Sequence, residues 1–277
     1  VVGDAGDKAL VRRLLTEYGI DTVMHFAAHT VVPESVTDPL KYYGNNTSAT
    51  LNLLSACSEA GVPHFIFSSS AAVYGPTGDR PVDEDHPTRP VTPYGTSKLM
   101  SEWMLRDLAE AGTLRHVALR YFNVAGCDPA GRIGQSTPEA TLLVKVACEA
   151  AAGRRRAVSI YGTDYPTRDG TGIRDFIHVE DLADAHLRAL DYLRHGGRSV
   201  TLNAGYGHGY SVREVLQAVE RANGAPLEVW EEPRRPGDLP SVVAEAGRIR
   251  QVLRWQPRWD NLDAIVSTAL AWEQRPD

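Results

Sequence analysis

The sequence predicts an α/β fold, built on a doubly wound parallel (Rossmann-like) sheet with a smaller C-terminal α/β domain. Strand-like and helix-like segments alternate through the first half of the 277 residues, which is typical of parallel strands joined by helices. The alternation loosens after residue 126, where a loop containing glycine and proline spans 128–138. We therefore expect one domain over 1–126, to which 174–203 returns, and a second over 127–277.

Hydrophobic periodicity predicts the individual elements in chain order. Short apolar runs indicate buried strands, and apolar residues three or four positions apart, such as Leu51, Leu54 and Cys57, indicate a helix face. The predicted strands are 21–26, 64–67, 116–121, 158–160 and 174–179. The predicted helices are 8–18, 47–60, 97–111, 139–152, 181–193, 211–222, 246–253 and 262–272.

Composition excludes several classes of function. The net charge of −6 argues against wholesale electrostatic binding of nucleic acid. Three widely spaced cysteines form neither a zinc pattern nor a disulfide framework, and they indicate a reducing cytoplasm. The histidines show no metal-ligand spacing, and we expect His178 to be structural. The sequence has no apolar run long enough to cross a bilayer, so we expect no membrane partner.

Tyr94 and Lys98 are the most informative pair of residues. Residues four apart share a helix face, and a nearby ammonium favours the phenolate form of tyrosine. Lowering the tyrosine pKa from about 10 by about 3 units requires about 4 kcal/mol, which Lys98 together with a cationic nicotinamide could supply. A serine hydroxyl from 68–70 would hold the same substrate oxygen. These groups are suited to removing a proton from an alcohol while a hydride leaves its carbon.

The position of these residues strengthens that interpretation. The serine run at 68–70 closes the buried strand 64–67, and ligands of open parallel sheets bind at the carboxyl ends of strands. Pro93 directly precedes Tyr94, as proline does in the first turn of many helices. A Tyr and a Lys four apart also occur by chance in many helices. Here, however, the pair stands at the predicted start of a helix and the serines stand at the end of a predicted strand, so both lie where an active site is expected.

Several segments, in order along nearly the whole chain, carry a family resemblance. They are 25–28 (HFAA), 33–36 (PESV), 42–46 (YYGNN), 65–75 (FIFSSSAAVYG), 93–98 (PYGTSK), 120–123 (RYFN), 162–179 (GTDYPTRDGTGIRDFIHV) and 233–238 (PRRPGD). The sequence resembles extended short-chain dehydrogenase/reductases, and among them the UDP-glucose 4-epimerases. The resemblance implies interconversion of UDP-glucose and UDP-galactose, in galactose metabolism, through transient oxidation at carbon 4 by tightly bound NAD.

The resemblance implies a role for each catalytic residue. Tyr94 as phenolate would take the proton of the sugar 4-hydroxyl, and Ser70 would hydrogen-bond the same oxygen. Lys98 would bind the nicotinamide ribose and lower the pKa of Tyr94. The 4-keto sugar would turn and take the hydride back on its other face.

The resemblance also implies binding residues. The positions matching cofactor contacts are Asp4, Phe26, Ala27, Ala28, Asn45, Ser68, Tyr94, Lys98 and Tyr121. The positions matching substrate contacts are Ser70, Asn123, Thr141, Leu142, Tyr161, Arg174, Arg235, Asp238 and Val242. Core packing is the alternative for the aromatic residues, and a surface salt bridge is the alternative for each arginine. The sequence departs from the family pattern at Thr141 and Leu142.

Two departures from the family pattern affect the expected function. The family's glycine-rich loop, where a pyrophosphate meets a helix N-terminus, is absent, and the chain starts at Val1 without methionine. We therefore expect a fragment of a longer protein, with the first βαβ unit missing. Val242 stands where some members of the family carry a bulky tyrosine. The smaller side chain predicts that N-acetylated UDP-hexosamines are accepted as well.

Other functions remain as alternatives. A UDP-glucuronate type of epimerase is open, and a truncated chain could be a catalytically silent nucleotide-binding scaffold. A nucleotide-sugar dehydratase or decarboxylase is disfavoured, because the dehydratases usually place an Asp-Glu pair just after the strand, where Ser70 and Ala71 stand here. The resemblance also implies a homodimer that pairs helices 47–60 and 97–111, and the apolar Trp103 and Met104 fit such an interface.

Overall fold

The computed structural model describes residues 1–78, 80–235 and 237–275. Pro236, within the 233–238 segment, lies outside the described residues, as do the last two residues of the predicted second domain. The chain divides into two compact units. Unit 1 comprises Val1–Pro76, Glu84–Tyr121 and His186–Asn203, and unit 2 comprises Thr77–Asp83, Phe122–Ala185 and Ala204–Asp277. The assignment of one domain to the cofactor and the other to the substrate stays a prediction.

Helices and strands are distributed along the whole of the described chain. The helices are α1 (Lys8–Glu17), α2 (Val32–Thr37), α3 (Pro39–Tyr42), α4 (Ala49–Ala60), α5 (Pro93–Glu110), α6 (Leu143–Ala151), α7 (Val179–Arg194), α8 (Val212–Asn223), α9 (Gly247–Leu253) and α10 (Leu262–Glu273). The strands are β1 (Thr22–His25), β2 (His64–Ser70), β3 (Arg115–Tyr121), β4 (Asn123–Ala125), β5 (Val158–Tyr161), β6 (Ile173–Arg174), β7 (Phe176–His178), β8 (Val200–Ala204), β9 (Tyr210–Ser211), β10 (Val229–Glu232) and β11 (Ser241–Val242).

Unit 1 is built on the sheet β1-β2-β3-β8, in which β2 pairs in parallel with both β1 and β3. The central strand β2 reads as a continuous apolar run followed by serines because both of its faces are covered. Phe65 and Phe67 lie on one face of β2 and form a buried cluster with Leu54 of α4 and Leu105 of α5. The predicted parallel sheet is confirmed.

Unit 2 contains smaller sheets. Strand β4 pairs in parallel with β7, β5 pairs in parallel with β10, and β6 lies between β11 and β9. Helices α6, α8 and α10 pack against one another. None of the helices described in either unit is both long and apolar enough to cross a membrane.

The structure differs from the predicted elements where tertiary contacts decide the backbone. Helix α6 begins at Leu143 rather than 139, because Glu139 has a φ of +53°, a left-handed conformation that a helix does not continue. The predicted strand 174–179 divides at Asp175, whose carboxylate accepts hydrogen bonds from the backbone N–H groups of Tyr206, Gly207 and Ala244. Helices α2 and α3 were not predicted, because they are too short to show periodicity.

Candidate active site

Helix α5 carries Tyr94 and Lys98 on its buried face. The helix begins four residues before the predicted start, since the Thr92 hydroxyl accepts a hydrogen bond from Gly95 N–H at 3.3 Å and Pro93 occupies the first turn. Tyr94 therefore lies within the helix, one turn before Lys98. The two side chains are only 8% and 4% exposed, respectively. The local sequence thus places both groups, as predicted, on one face of a helix packed against the sheet.

Ser70 lies at the carboxyl end of β2, beside Tyr94. The Ser70 hydroxyl accepts a hydrogen bond from Ala72 N–H at 3.2 Å, and its interaction with the Tyr94 phenol lowers the pKa of that phenol. The serine run forms the last three residues of β2 instead of following the strand. The structure therefore brings Ser70 and Tyr94 together, as predicted from the sequence.

The ammonium of Lys98 is directed at the same strand. Its Nζ donates a hydrogen bond to the Ser68 carbonyl oxygen at 2.8 Å and lies 5.0 Å from the centre of the Phe67 ring. Burial lowers the pKa of Lys98 to about 8. Lys98 is thus fixed at the end of β2, one helical turn from the phenol.

The Tyr94 pKa was predicted to be lowered by Lys98 together with a cationic nicotinamide, and that lowering stays a prediction. Burial raises the pKa of Tyr94, and the hydrogen bond with Ser70 only partly opposes that rise. Desolvation disfavours the charged phenolate, and the ammonium of Lys98 is bonded to the Ser68 carbonyl. Burial therefore opposes ionisation of Tyr94, and a further positive charge beside the phenol would favour it.

A second cluster surrounds Ser68. The Tyr121 hydroxyl donates a hydrogen bond to Ser68 Oγ at 2.5 Å and lies 2.6 Å from His186 Nε2. The ring of Phe26 lies 4.8 Å from the His186 ring and is 58% exposed, so core packing does not explain Phe26. Sequence reasoning missed His186, because it is 65 residues from Tyr121 and no local pattern links the two.

The remaining predicted cofactor positions lie in three segments of unit 1. Ala27 and Ala28 follow β1 in the same loop as Phe26. Asp4 accepts a hydrogen bond from Gly6 N–H at 2.7 Å within its own turn. Asn45 donates a hydrogen bond at 3.1 Å to Asn46, whose amide nitrogen in turn lies 3.1 Å from Ser97 Oγ of α5. Asn46 therefore connects this region to the helix of Tyr94. Among the described residues, the structure records no hydrogen bond from Asp4 to the catalytic residues.

Unit 2 gathers the predicted arginines. Arg235 Nε donates to Asp238 Oδ2 at 2.9 Å, and the Arg235 guanidinium lies 4.6 Å from the centre of the Tyr161 ring. Arg174 is aligned with Val242 in the parallel pair β6/β11. The charge of Arg174 interacts with those of Asp238 and Arg235. The structure therefore brings five of the predicted substrate positions together.

Arg234 and Tyr165 of unit 2 were not among the predicted site residues. The Arg234 guanidinium lies 4.2 Å from the centre of the Tyr165 ring, and Arg234 Nε donates to Asp164 at 2.7 Å. The buried Tyr165 hydroxyl has no hydrogen-bond partner among the described residues. Arg234 and Tyr165 belong to the segments 233–238 and 162–179, so their place in these motifs was the available signal.

Three other predicted substrate positions, Asn123, Thr141 and Leu142, belong to segments of the chain that do not contain the arginines. Asn123 begins β4, and its N–H donates to the Asp175 carbonyl oxygen at 2.9 Å. Thr141 and Leu142 are exposed just before α6. The structure records no bond from either side chain to Arg174 or Arg235 within the described residues.

His178 has a structural environment, as predicted. Its ring stacks on Trp259 at 4.7 Å, Nε2 lies 3.0 Å from Thr268 Oγ1, and Nδ1 accepts a hydrogen bond from Glu180 N–H at 3.1 Å. Burial lowers the pKa of His178 to about 4. In the described part of the chain, no group of three or more His, Cys, Asp or Glu residues could hold a metal ion.

The fold and the site together define a class of protein. A tyrosine and a lysine one turn apart, with a serine at the end of the adjacent parallel strand, are the arrangement of a Rossmann-like enzyme of the short-chain dehydrogenase/reductase type. The sequence profile described as the NAD dependent epimerase/dehydratase family matches residues 1–205. The chain belongs to this family, and the predicted resemblance is confirmed.

Similar proteins agree with that assignment. The UDP-glucose 4-epimerase of Azospirillum brasilense is 56% identical over 274 residues, which are 99% of this chain and 79% of that protein. The crystal structure of the Brucella ovis UDP-glucose 4-epimerase in complex with NAD is 42% identical, with a TM-score of 0.95 over 99% of this chain and 84% of that one. The Campylobacter jejuni UDP-Glc/GlcNAc 4-epimerase is 48% identical, with a TM-score of 0.84 over 98% of this chain and 82% of that one.

Proposed function

We propose that this chain interconverts UDP-glucose and UDP-galactose by transient oxidation at carbon 4. The pairing of Ser70 with the buried phenol of Tyr94 carries the proposal, because it offers a proton acceptor and a hydroxyl partner to one alcohol oxygen. The relatives named UDP-glucose 4-epimerase support the choice of substrate.

The residues around Ser68 fit NAD. An ammonium has three N–H donors, and in the described residues the Ser68 carbonyl is the one acceptor recorded for Lys98. Two donors of Lys98 are therefore suited to ribose hydroxyls. The exposed ring of Phe26 and the hydroxyl of Tyr121 offer apolar and polar partners for a nicotinamide ring and its amide. Bound NAD would accept the hydride that leaves carbon 4 of the sugar. It would also supply a positive charge that favours an ionised Tyr94.

The residues of the chain then handle the proton and the orientation of the substrate. Tyr94 removes the proton of the 4-hydroxyl, and it returns that proton when the sugar is reduced. Ser70 holds the same oxygen, so proton transfer occurs at a fixed position. Because Tyr94 and Lys98 are almost wholly buried, bulk water has little access to the reacting oxygen.

Unit 2 supplies the groups for the UDP part of the substrate. A diphosphate is best bound by guanidinium groups, whose planar donors match its oxygens, and Arg174 and Arg235 provide them. Asp238 orients Arg235 through their hydrogen bond of 2.9 Å. The partly exposed ring of Tyr161 offers a surface for uracil. A UDP-hexose is therefore the substrate class that this set of side chains fits.

The function is tested by incubating the purified protein and NAD with UDP-galactose. We expect UDP-glucose to form without net change in NAD, and UDP-glucuronate to react more slowly. Faster conversion of UDP-glucuronate would support the glucuronate type of epimerase. Failure to bind NAD and to convert any UDP-sugar would support a catalytically silent protein and would contradict the proposal.

Val242 favours a second substrate class, N-acetylated UDP-hexosamines. Valine is smaller than tyrosine, and Val242 is aligned with Arg174, a proposed substrate-binding residue, in the β6/β11 pair. We expect the wild-type protein to convert UDP-N-acetylglucosamine, and Val242→Tyr to lower kcat/KM for that substrate at least about tenfold, which corresponds to about 1.4 kcal/mol of steric exclusion. Conversion of UDP-galactose by the same variant should change less than about threefold and serves as the control. Equal losses for both substrates would contradict this specificity.

We also propose a homodimer that pairs α4 and α5 with the same helices of a second copy. Leu51 of α4 and Trp103 of α5 are 52% and 46% exposed, and these large apolar side chains lie on neighbouring helices. We also propose that the protein acts in the cytoplasm, and the three free, buried cysteines support this location.

Substitution of Trp103 tests the dimer. We expect Trp103→Glu to give a monomer in analytical ultracentrifugation, because a buried unpaired charge opposes association. Trp230→Glu is the matched control, since Trp230 is 43% exposed but lies in β10 of unit 2. A monomeric wild-type protein, or a Trp103→Glu dimer of unchanged affinity, would contradict the proposed interface.

A further inference from the structure

Glu102 and Arg120 form a buried ion pair close to the catalytic residues. Arg120 Nε and Nη2 donate to the two carboxylate oxygens of Glu102 at 3.0 and 2.7 Å. Both side chains are 7% exposed. Glu102 lies one helical turn after Lys98 on α5, and Arg120 is the neighbour of Tyr121 on β3. The pair therefore connects the helix of Tyr94 to the sheet.

The pair extends to the strand that carries the serines. Ser69 Oγ donates to Glu102 Oε1 at 2.5 Å. Residues two apart on a strand share a face, so Ser69 and Phe67 both face α5, where they contact Glu102 and Lys98, respectively. Ser69 thus anchors the end of β2 to α5 between Ser68, which accepts the bond from Lys98, and Ser70, which contacts Tyr94.

The Arg120 guanidinium also makes a hydrogen bond on the side away from Glu102. Arg120 Nη1 donates to the Tyr74 hydroxyl at 2.9 Å, and that hydroxyl donates to Asn203 Oδ1 at 2.6 Å. Tyr74 follows the turn after β2, and Asn203 belongs to β8. Because the guanidinium is held from both sides, the carboxylate of Glu102 has little freedom to move away from Ser69.

We propose that Glu102, held by Arg120, is a positioning residue that acts through Ser69 to keep the end of β2 in register with α5. This register keeps Ser70 against the Tyr94 phenol and keeps the Ser68 carbonyl on Lys98. Neither Glu102 nor Ser69 contacts the reacting atoms. The kinetic part of the proposal rests on the proposed epimerase function, whereas the geometric part does not.

Ser69→Ala is the informative variant. Removing Glu102 would leave Arg120 as an uncompensated buried charge and could unfold the protein. Ser69→Ala removes only the bond to the strand, because Glu102 Oε1 keeps its bond from Arg120 Nε. Ser101→Ala is the matched control, since Ser101 is a buried serine of α5 whose hydroxyl donates to the Ser97 carbonyl of the same helix at 3.1 Å.

Two measurements test the proposal. We expect Ser69→Ala to lower kcat about tenfold with little change in KM, because a small misplacement of catalytic groups affects chemistry more than binding. We also expect a higher pKa for Tyr94, by about half a unit to one unit. The pKa is read by ultraviolet titration as the difference from the same protein with Tyr94→Phe. A weakened bond from Ser70 would raise it, since that bond lowers the pKa of Tyr94.

The outcomes distinguish this proposal from the proposed function. If Ser69→Ala and Ser101→Ala show the same kcat and the same Tyr94 pKa, the Glu102–Arg120 pair is structural only and the inference is overturned. If the wild-type protein converts no UDP-sugar, the proposed function fails. In that case the Tyr94 titration still decides whether Ser69 positions the phenol.

Discussion

Tyr94→Phe should lower kcat for UDP-galactose by about 10³-fold. The phenylalanine ring fills the same buried space, but it can neither accept nor return the proton of the 4-hydroxyl. KM should change little, because the UDP group binds through other residues. The measurement is steady-state epimerisation at saturating substrate, with the folded fraction checked by thermal unfolding.

Tyr42→Phe is the matched control for this variant. Tyr42 is fully buried, its ring lies 6.4 Å from that of Tyr94, and its hydroxyl is shared between the Val31 carbonyl at 2.6 Å and Glu34 Oε2 at 2.8 Å. Losing these contacts should lower stability by about 1–3 kcal/mol but leave kcat within about threefold. Similar kcat values for Tyr94→Phe and Tyr42→Phe would exclude Tyr94 as the base.

Lys98→Met should decrease activity and increase stability at neutral pH. Activity should fall about 10²- to 10³-fold, because no ammonium then stabilises an ionised Tyr94 or binds the cofactor ribose. Stability should rise because burial lowers the pKa of Lys98 to about 8, so keeping the ammonium charged at pH 7 opposes folding. From an ordinary value of about 10.4, this shift corresponds to at most about 3 kcal/mol, before the lost bond to Ser68 is deducted.

The destabilisation by Lys98 depends on pH. Below about pH 8, lysine is charged in both the folded and the unfolded state, so the full destabilisation by Lys98 is present. Between about pH 8 and 10.4 the unfolded state binds more protons, and the destabilisation disappears as the pH rises. The advantage of Lys98→Met in urea unfolding should therefore be largest near pH 7 and shrink at pH 9 and above.

Lys145→Met provides the opposite case. Burial alone would lower the pKa of Lys145, but hydrogen bonds to Glu273 and Glu149 raise it. Removing this lysine takes away the ion pair of the buried Glu273 at 2.6 Å and leaves the longer one with Arg154 at 3.6 Å, so stability should fall by about 3 kcal/mol. A Lys98→Met protein that is destabilised to the same extent would contradict the account of Lys98.

The sequence predicted the features of the site that arise within a single helix or strand. The spacing of Tyr94 and Lys98 becomes one helical turn, and the serine run reaches the end of β2, because both features follow from backbone periodicity. His186 and the Glu102–Arg120 pair were not predictable, since each joins residues from different elements. The rise that burial alone gives the Tyr94 pKa was not predicted, because the degree of burial is set by tertiary packing. The family motifs, rather than residue spacing, pointed to the cluster of Arg174 and Arg235.

The most direct test follows the hydrogen on carbon 4 of the sugar. UDP-galactose deuterated at carbon 4 is incubated in ordinary water with the purified protein and NAD, and the UDP-glucose is analysed by nuclear magnetic resonance. We expect the deuterium to stay on carbon 4, because Tyr94 exchanges only the proton of the hydroxyl. UDP-glucose carrying protium from water at carbon 4, or no UDP-glucose at all, would contradict the proposed chemistry.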